Sequence, residues 1–404
     1  MSPFLPAHLT FLRLGRLSLA VAGLLAAGCA PKLTSAINPD ASDCLVYIGT
    51  NVATDQAKTI YLYRLNTSVG TLTSMSAQWG GASPTYLAMD AGHRYLYAVS
   101  ETQTFQEWAK SGGVSALAID QRTGALTLLN QMPSRGASPC YISLDRTEKN
   151  VLVANYVGGN VNLLPRQLNG QLAAPTDEDQ HQPPTGPHKN QDKPHAHCII
   201  PAPDNRYAFS VDLGTDRVYR YALDPEHNKL GTPAVVAFAA KPGAGPRHLT
   251  FHPNARWAYL ENELNSTVTA LAYNATTGSF DELQTLSTLP AGFAGENSGA
   301  DVHVSPNGRF VYTSNRGDNS LAVFAVDEAS GRLSLVQHIS TQGKTPRNFA
   351  LDPSGQVLLV ANQNSNDVFL YRVDKQSGRL SATGQSVQVP SPMFVEIVPD
   401  FTKQ

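Results

Sequence analysis

Residues able to hold an anion or move a proton recur in this sequence at a fixed spacing. Arg247 and Glu263 lie 16 residues apart, as do His197 and Leu213, Ala300 and Arg316, Arg347 and Gln363, Thr85 and Glu101, and Cys140 and Tyr156. Arginine presents a planar fork of donors suited to a carboxylate, a phosphate or a developing oxyanion. Glutamate can act as a general base, and histidine is suited to proton transfer near neutral pH. One such residue at a strand end is more often a solvated charge or half of a local ion pair. His197, Arg247, Glu263, Arg316 and Arg347 gathered on one concave rim would make a site for polarising a carbonyl and activating water.

The elements that must position them form a repeat. Gly245-Pro246-Arg247-His248 leads into Trp257-Ala258-Tyr259-Leu260, and Thr345-Pro346-Arg347-Asn348 into Val357-Leu358-Leu359-Val360. Ser83-Pro84-Thr85-Tyr86 and Ala300-Asp301-Val302-His303 open two more copies. Each copy reads as a strand, a turn marked by Pro, Asn, Asp or Gly, and a second strand rich in Val, Leu and Tyr. A third strand follows, as at Ser320-Leu321-Ala322-Val323. Then comes a turn such as Ser330-Gly331 and a fourth strand opening with Leu333 or Leu380. Four strands every 46 to 57 residues is the spacing of propeller blades.

First strands follow Pro84, Pro139, Ala196, Pro246, Gly299, Pro346 and Pro392, and the last has too little chain after it for three partners. Residues 45–49, 59–65 and 72–77 can supply them. The sequence therefore predicts an all-β, seven-bladed β-propeller whose last blade is closed by N-terminal strands plus the C-terminal strand, which removes free sheet edges. Six blades and a stray hairpin would leave the N-terminal strands unpaired.

Antiparallel pairing puts the start of each first strand beside the end of each second strand. Both series of residues then face one mouth of the central channel. One ring is Thr85, Cys140, His197, Arg247, Ala300, Arg347 and Met393. The other is Glu101, Tyr156, Leu213, Glu263, Arg316, Gln363 and Asn51. The charged and polar members concentrate in blades three to six, with Glu101 and Gln363 as further substrate-binding candidates.

The first 28 residues read as a signal peptide: Arg13 and Arg16 precede a short apolar run at 17–27 that ends at Gly28-Cys29. Leu24-Leu25-Ala26-Ala27-Gly28-Cys29 is similar to a bacterial lipoprotein box and makes Cys29 a lipidation candidate. Residues 29–44 read as a tether and 45–404 as the propeller domain. The expected location is outside the cytoplasm, periplasmic or anchored to a membrane only through a lipid on Cys29. The 404 residues carry a formal net charge of -2, with 15% charged residues, which gives no basic surplus for nucleic acid. Cys44, Cys140 and Cys198 show no disulfide framework.

His195 and His197, at i and i+2, share a face if the strand has already begun, a spacing that could bind a metal. No partner set with ligand spacing accompanies them, and no metal or cofactor is expected. Residues 173–193, containing His181 and His188, show no strand pattern and read as an excursion or a lid. His303 is expected to be internal and His252 to lie in a turn. Nucleotide-binding glycine loops, Gly-X-Ser-X-Gly elbows and CxxC motifs do not occur.

Several motifs together resemble the lactonase family of seven-bladed propellers, which includes 6-phosphogluconolactonase-like and carboxymuconate cyclase-like proteins. They are Val153-Ala154-Asn155-Tyr156-Val157-Gly158-Gly159, the 191–197 segment, Asp212-Leu213-Gly214-Thr215-Asp216, Gly245-Pro246-Arg247-His248, Asn262-Glu263-Leu264, Ser314-Asn315-Arg316-Gly317 and Thr345-Pro346-Arg347. The resemblance implies hydrolysis or formation of a sugar-acid or related lactone without a required metal. It places the family's His, two Arg and Glu on His197 (or His195), Arg247, Arg316 and Glu263. A non-catalytic exported propeller binding a ligand or protein partner is the competing reading, since this fold hosts many functions. The export signal argues against a cytosolic phosphorylated sugar lactone as the natural substrate.

Overall fold

The computed structural model describes residues 43–53 and 58–403. Seven four-stranded antiparallel sheets make up these residues, each ordered in sequence from the channel outward, except the last. Blade 4 shows the pattern, with strands Pro246–Phe251, Trp257–Asn262, Thr267–Asn274 and Ser279–Ser287. Blade 7 is composite. Its inner strand is the C-terminal Pro392–Pro399, paired with Asp43–Thr50, then Ile60–Asn66 and Thr71–Gln78. The first strand starts at Asp43, inside the expected tether, because Asp43 and Cys44 already pair with Asn66 and Leu65. The signal segment and Cys29 lie outside the described residues.

Alternation along the second strands builds the interior. Tyr259 and Trp257 face blade 5 while Ala258 and Leu260 face blade 3, and each blade contributes to two of seven separate apolar clusters. The strands are therefore buried on both faces and read as near-continuous apolar runs. Buried tyrosines tie neighbouring blades together. The hydroxyl groups of Tyr47, Tyr97, Tyr259 and Tyr312 donate to the carbonyls of Gly124, Gly170, Gly331 and Gly378, all at 2.8–3.1 Å. Each of those glycines has a φ of 72–84° in the turn after a third strand, so the Thr-Gly, Asn-Gly and Ser-Gly turns serve as docking points.

The 173–193 segment differs from expectation. Asp177–Gln180 is the outer strand of blade 2, and it lacked a signal because its four residues are all polar. The rest is packed onto blade 3. His181 is buried between Asp212 (2.6 Å) and Tyr221 (2.8 Å), and Gln191 Nε2 donates to the Leu213 carbonyl at 2.8 Å. Blade 1 carries an added hairpin, Thr104–Phe105 with Trp108–Ala109.

Removing one inter-blade tether should be felt without disturbing the channel. Tyr259→Phe is expected to lower unfolding stability by about 1 kcal/mol, read from urea midpoints, with unchanged sheet content by circular dichroism.

Candidate active site

A β-bulge at the start of the inner strands sets the site. In blade 4, Pro246 pairs with Asn262 and His248 with Glu261, which leaves Arg247 opposite no residue. The same shift isolates Cys140, His197, Arg347 and Met393 in their blades, and Ala300 with Asp301 in blade 5. A bulged residue is re-aimed out of the regular pleat, here toward the channel. One backbone hydrogen bond fixes the second ring against the first in every blade. The amides of Asn51, Glu101, Tyr156, Leu213, Glu263, Arg316 and Gln363 donate to the carbonyl two residues before the first-ring residue of the same blade, at 2.7–3.0 Å.

The side chains of Arg247, Glu263 and Arg316 meet. Glu263 Oε2 lies 3.0 Å from Arg247 Nε and 2.8 Å from Arg316 Nη2. Arg247 Nη1 also donates to the Ala300 carbonyl (2.5 Å), and Arg316 Nη2 to the Gly299 carbonyl (2.7 Å). Burial would raise the Glu263 carboxyl, but Arg316, Arg247 and Arg347 together hold it below its ordinary range, so it is ionised. Burial and the neighbouring cations pull Arg316 down to about 10, still charged at neutral pH.

Arg347 sits at the same mouth and lines a narrow cavity with Thr85, Glu101, Cys140, Arg247 and His248. Its guanidinium makes no hydrogen bond or ion pair with any described residue. Glu101, across from it, accepts from Thr85 Oγ1 at 2.5 Å. Gln363 is at its expected rim position, held by its backbone, and its side chain makes no hydrogen bond to the charged group among the described residues.

The two histidines part company. His197 is buried, with Nδ1 3.7 Å from Cys140 Sγ and its ring edge-on to Tyr156 and His248. Burial, then Arg247, His248 and Arg347, hold it well below the usual histidine range, so it is neutral. His195 precedes the strand, stacks on Tyr156 at 4.4 Å, and has both ring nitrogens engaged, by the Tyr156 carbonyl and Asp192, each at 3.0 Å. The i, i+2 pair therefore does not present two nitrogens to one point. Among the described residues, no three His, Cys, Asp or Glu side chains are placed to hold a metal ion.

Sequence reasoning missed the support beneath the site. Asp301 is fully buried and receives His248 Nδ1 (2.7 Å), His303 Nε2 (2.9 Å) and Asn348 Nδ2 (2.5 Å). The guanidinium of Arg247 rests against the His248 ring, 3.0 and 3.3 Å from its nitrogens. Burial and that cation push His248 down to about 4. His303 is not internal. The blade 5 bulge changes the strand parity, and His303 faces a cavity of about 660 Å³ at the opposite end of the channel. Tyr86 and Phe394, 4.2 Å apart, line that cavity, and Tyr86 also meets Tyr141 at 4.1 Å and His248 edge-on. This aromatic plug separates the two ends.

A propeller with such a charged mouth has known relatives. The family model described as lactonase, 7-bladed beta-propeller, matches residues 45–397, and the chain belongs to this family. A 6-phosphogluconolactonase of Bacillus subtilis is 39% identical over 306 residues, 76% of this chain and 84% of that protein. The crystal structure of a Pseudomonas aeruginosa periplasmic gluconolactonase has a TM-score of 0.82 and 34% identity, covering 88% of this chain and 99% of the other. A putative 6-phosphogluconolactonase of Bacteroides fragilis superposes with a TM-score of 0.81 at 33% identity, covering 91% and 100%.

The neutral state of His197 has a consequence for turnover. A histidine with a depressed pKa protonates only under more acidic conditions than a free one. An acid limb of kcat/KM for lactone hydrolysis that reports His197 should therefore lie below the ordinary histidine range, and a limb centred near 6.5 would contradict this environment.

Proposed function

We propose that this lactonase hydrolyses the ring ester of a sugar-acid lactone, in the manner of 6-phosphogluconolactonase, at the mouth that holds Arg247, Glu263, Arg316 and Arg347. The observation that carries the reading is the division of labour among three arginines. Two are tied to one carboxylate oxygen, and the third, Arg347, is left without a partner beside them. Paired arginines orient an ionised carboxylate, while an unpaired one is available for an incoming anion or oxyanion.

Hydrolysis needs a nucleophilic water, a polarised carbonyl and a proton for the departing ring oxygen. Arg347 stabilises charge on the carbonyl oxygen, while Arg247 and Arg316 hold Glu263 in place. Glu263, ionised and fixed, accepts a hydrogen bond from the attacking water and aims it. His197 accepts the water's second proton as the new C–O bond forms and returns it to the ring oxygen as the old C–O bond breaks. The product is the open-chain hydroxy acid. The cations that suppress His197 basicity are partly neutralised when the oxyanion forms, so its proton affinity rises at the step that uses it. His195 has no free ring nitrogen and serves the wall.

The leader-like first 28 residues support action outside the cytoplasm, and the likeness to a periplasmic gluconolactonase agrees with it. An unphosphorylated aldonolactone is then the favoured natural substrate. Lipid attachment to Cys29 belongs to the same proposal, and loss of radiolabelled palmitate incorporation on Cys29→Ala is its check.

The test is proton release from glucono-, galactono- and 6-phosphoglucono-lactones, measured above the spontaneous background. At least one should be turned over. Arg247→Ala and Glu263→Gln should each lower kcat/KM by about 100-fold or more with the sheet content retained. Full activity in both variants would reject the site.

A further inference from the structure

Position 261, two residues before the rim, is occupied in the other blades by Gly49, Val99, Ala154, Val211, Ser314 and Ala361. Only blade 4 places a carboxylate there. The side chain at this position faces the start of the next blade's inner strand. A Cβ built on Gly49 would come within 2.3 Å of the Pro84 carbonyl, and one built on Gly299 within 1.7 Å of Glu261 Oε1. That facing position is Pro in five blades and Ala196 in blade 3, and is glycine only in blade 5, opposite Glu261. Two departures from the repeat thus meet, and the missing Cβ of one makes the niche for the carboxyl of the other.

Glu261 has no solvent exposure, and neither carboxyl oxygen has a hydrogen-bond partner among the described residues. The charged and titratable groups around it are Arg247 and its strand partner His248 on the blade 4 inner strand, Glu263 beyond its own strand, and Asp301 and Arg316 of blade 5. None of them forms an ion pair with it.

We propose that Glu261 is a positioning residue of the lactonase site, a carboxylic acid held neutral behind Arg247 and Arg316 so that both guanidinium groups remain committed to Glu263 and the channel. An ionised carboxylate without hydrogen bonds in this niche would be strongly disfavoured, and it would also compete with Glu263 for the same two cations. Burial drives the carboxyl well above its ordinary range; Arg247 and Arg316 oppose the shift, and Asp301 and Glu263 reinforce it. Two carboxyls two residues apart are thereby separated into an ionised Glu263 and a protonated Glu261, the kind of split that assigns different roles to like groups.

Glu261→Gln, an isostere of the neutral acid, tests this by a readout independent of turnover. A group whose pKa is raised on folding contributes stability that is complete below its unfolded pKa and is lost as pH rises toward the folded one. The Tm of the variant should match wild type near pH 4 and then exceed it by about 2 °C for each pH unit as the pH rises. With an active lactone, kcat/KM of the variant should stay within about twofold of wild type at neutral pH. It should hold at alkaline pH, where wild type declines as Glu261 ionises beside the arginines. A Tm difference that does not change with pH, failure of the isosteric variant to fold, or loss of its neutral-pH activity would overturn the proposal. Absence of turnover in wild type would count against the lactonase site and leave the thermal result to decide the state of Glu261.

Discussion

One backbone hydrogen bond, made seven times, governs how this molecule presents its chemistry. The amide just past each second strand reaches the carbonyl at the entry to the inner strand of the same blade. The acceptor residues Ser83, Ser138, Gly245, Thr345 and Ser391 lie in the left-handed region, so the chain enters the inner strand through a sharp turn. With the turn and the hydrogen bond both fixed, the bulged residue has little choice of direction. Every blade therefore offers two side chains to the same mouth, and the scaffold is indifferent to what they are. Cys140 and Ala300 fill the position as readily as Arg247 and Arg347.

That indifference explains how a rigid ring tolerates so much charge. Three guanidinium groups crowd one narrow mouth, an arrangement that would repel if left alone. Glu263 offsets two of them directly, and backbone carbonyls of the blade 5 bulge, Gly299 and Ala300, take further donors. Below them Asp301 anchors His248, His303 and Asn348, so the floor under Arg247 is itself fixed by a buried carboxylate with all its neighbours donating. The aromatic plug of Tyr86, Tyr141 and Phe394 closes the channel beneath. The charged mouth is thus a blind end, and the larger cavity on the other side shares none of its arginines.

The position of the site is opposite to what cavity size alone would suggest. The wide end is lined by apolar strand residues, by Arg146, Glu148, His303 and Glu396, and by Asp145 and Asp352, whose carboxylates are occupied by turn amides such as Asn150 N and Val357 N. The narrow end holds Arg247 and Arg347 side by side, and the Arg347 guanidinium has no partner among the described residues. Affinity for a small anion depends on converging donors in a desolvated place, and those are at the narrow end.

The repeat alone determined the blade count, the shared closing blade and the two rings, because strand length, turn chemistry and a constant 16-residue offset are local properties written in every copy. The neighbourhood of Arg247, Glu263 and Arg316 was legible for the same reason. Tertiary structure decided what periodicity does not encode. The polar Asp177–Gln180 joined blade 2 because its backbone found a free edge, and apolar alternation had no part in it. His195 and His197 diverged, and His303 turned to the far cavity, because a bulge changes strand parity without leaving a mark in the spacing. The neutrality of His197 and the burial of Glu261 against Gly299 depend on neighbours from other blades. A residue's type fixes which charges it can carry, and only the packed surroundings, by removing water and placing other charges nearby, fix which one it does carry.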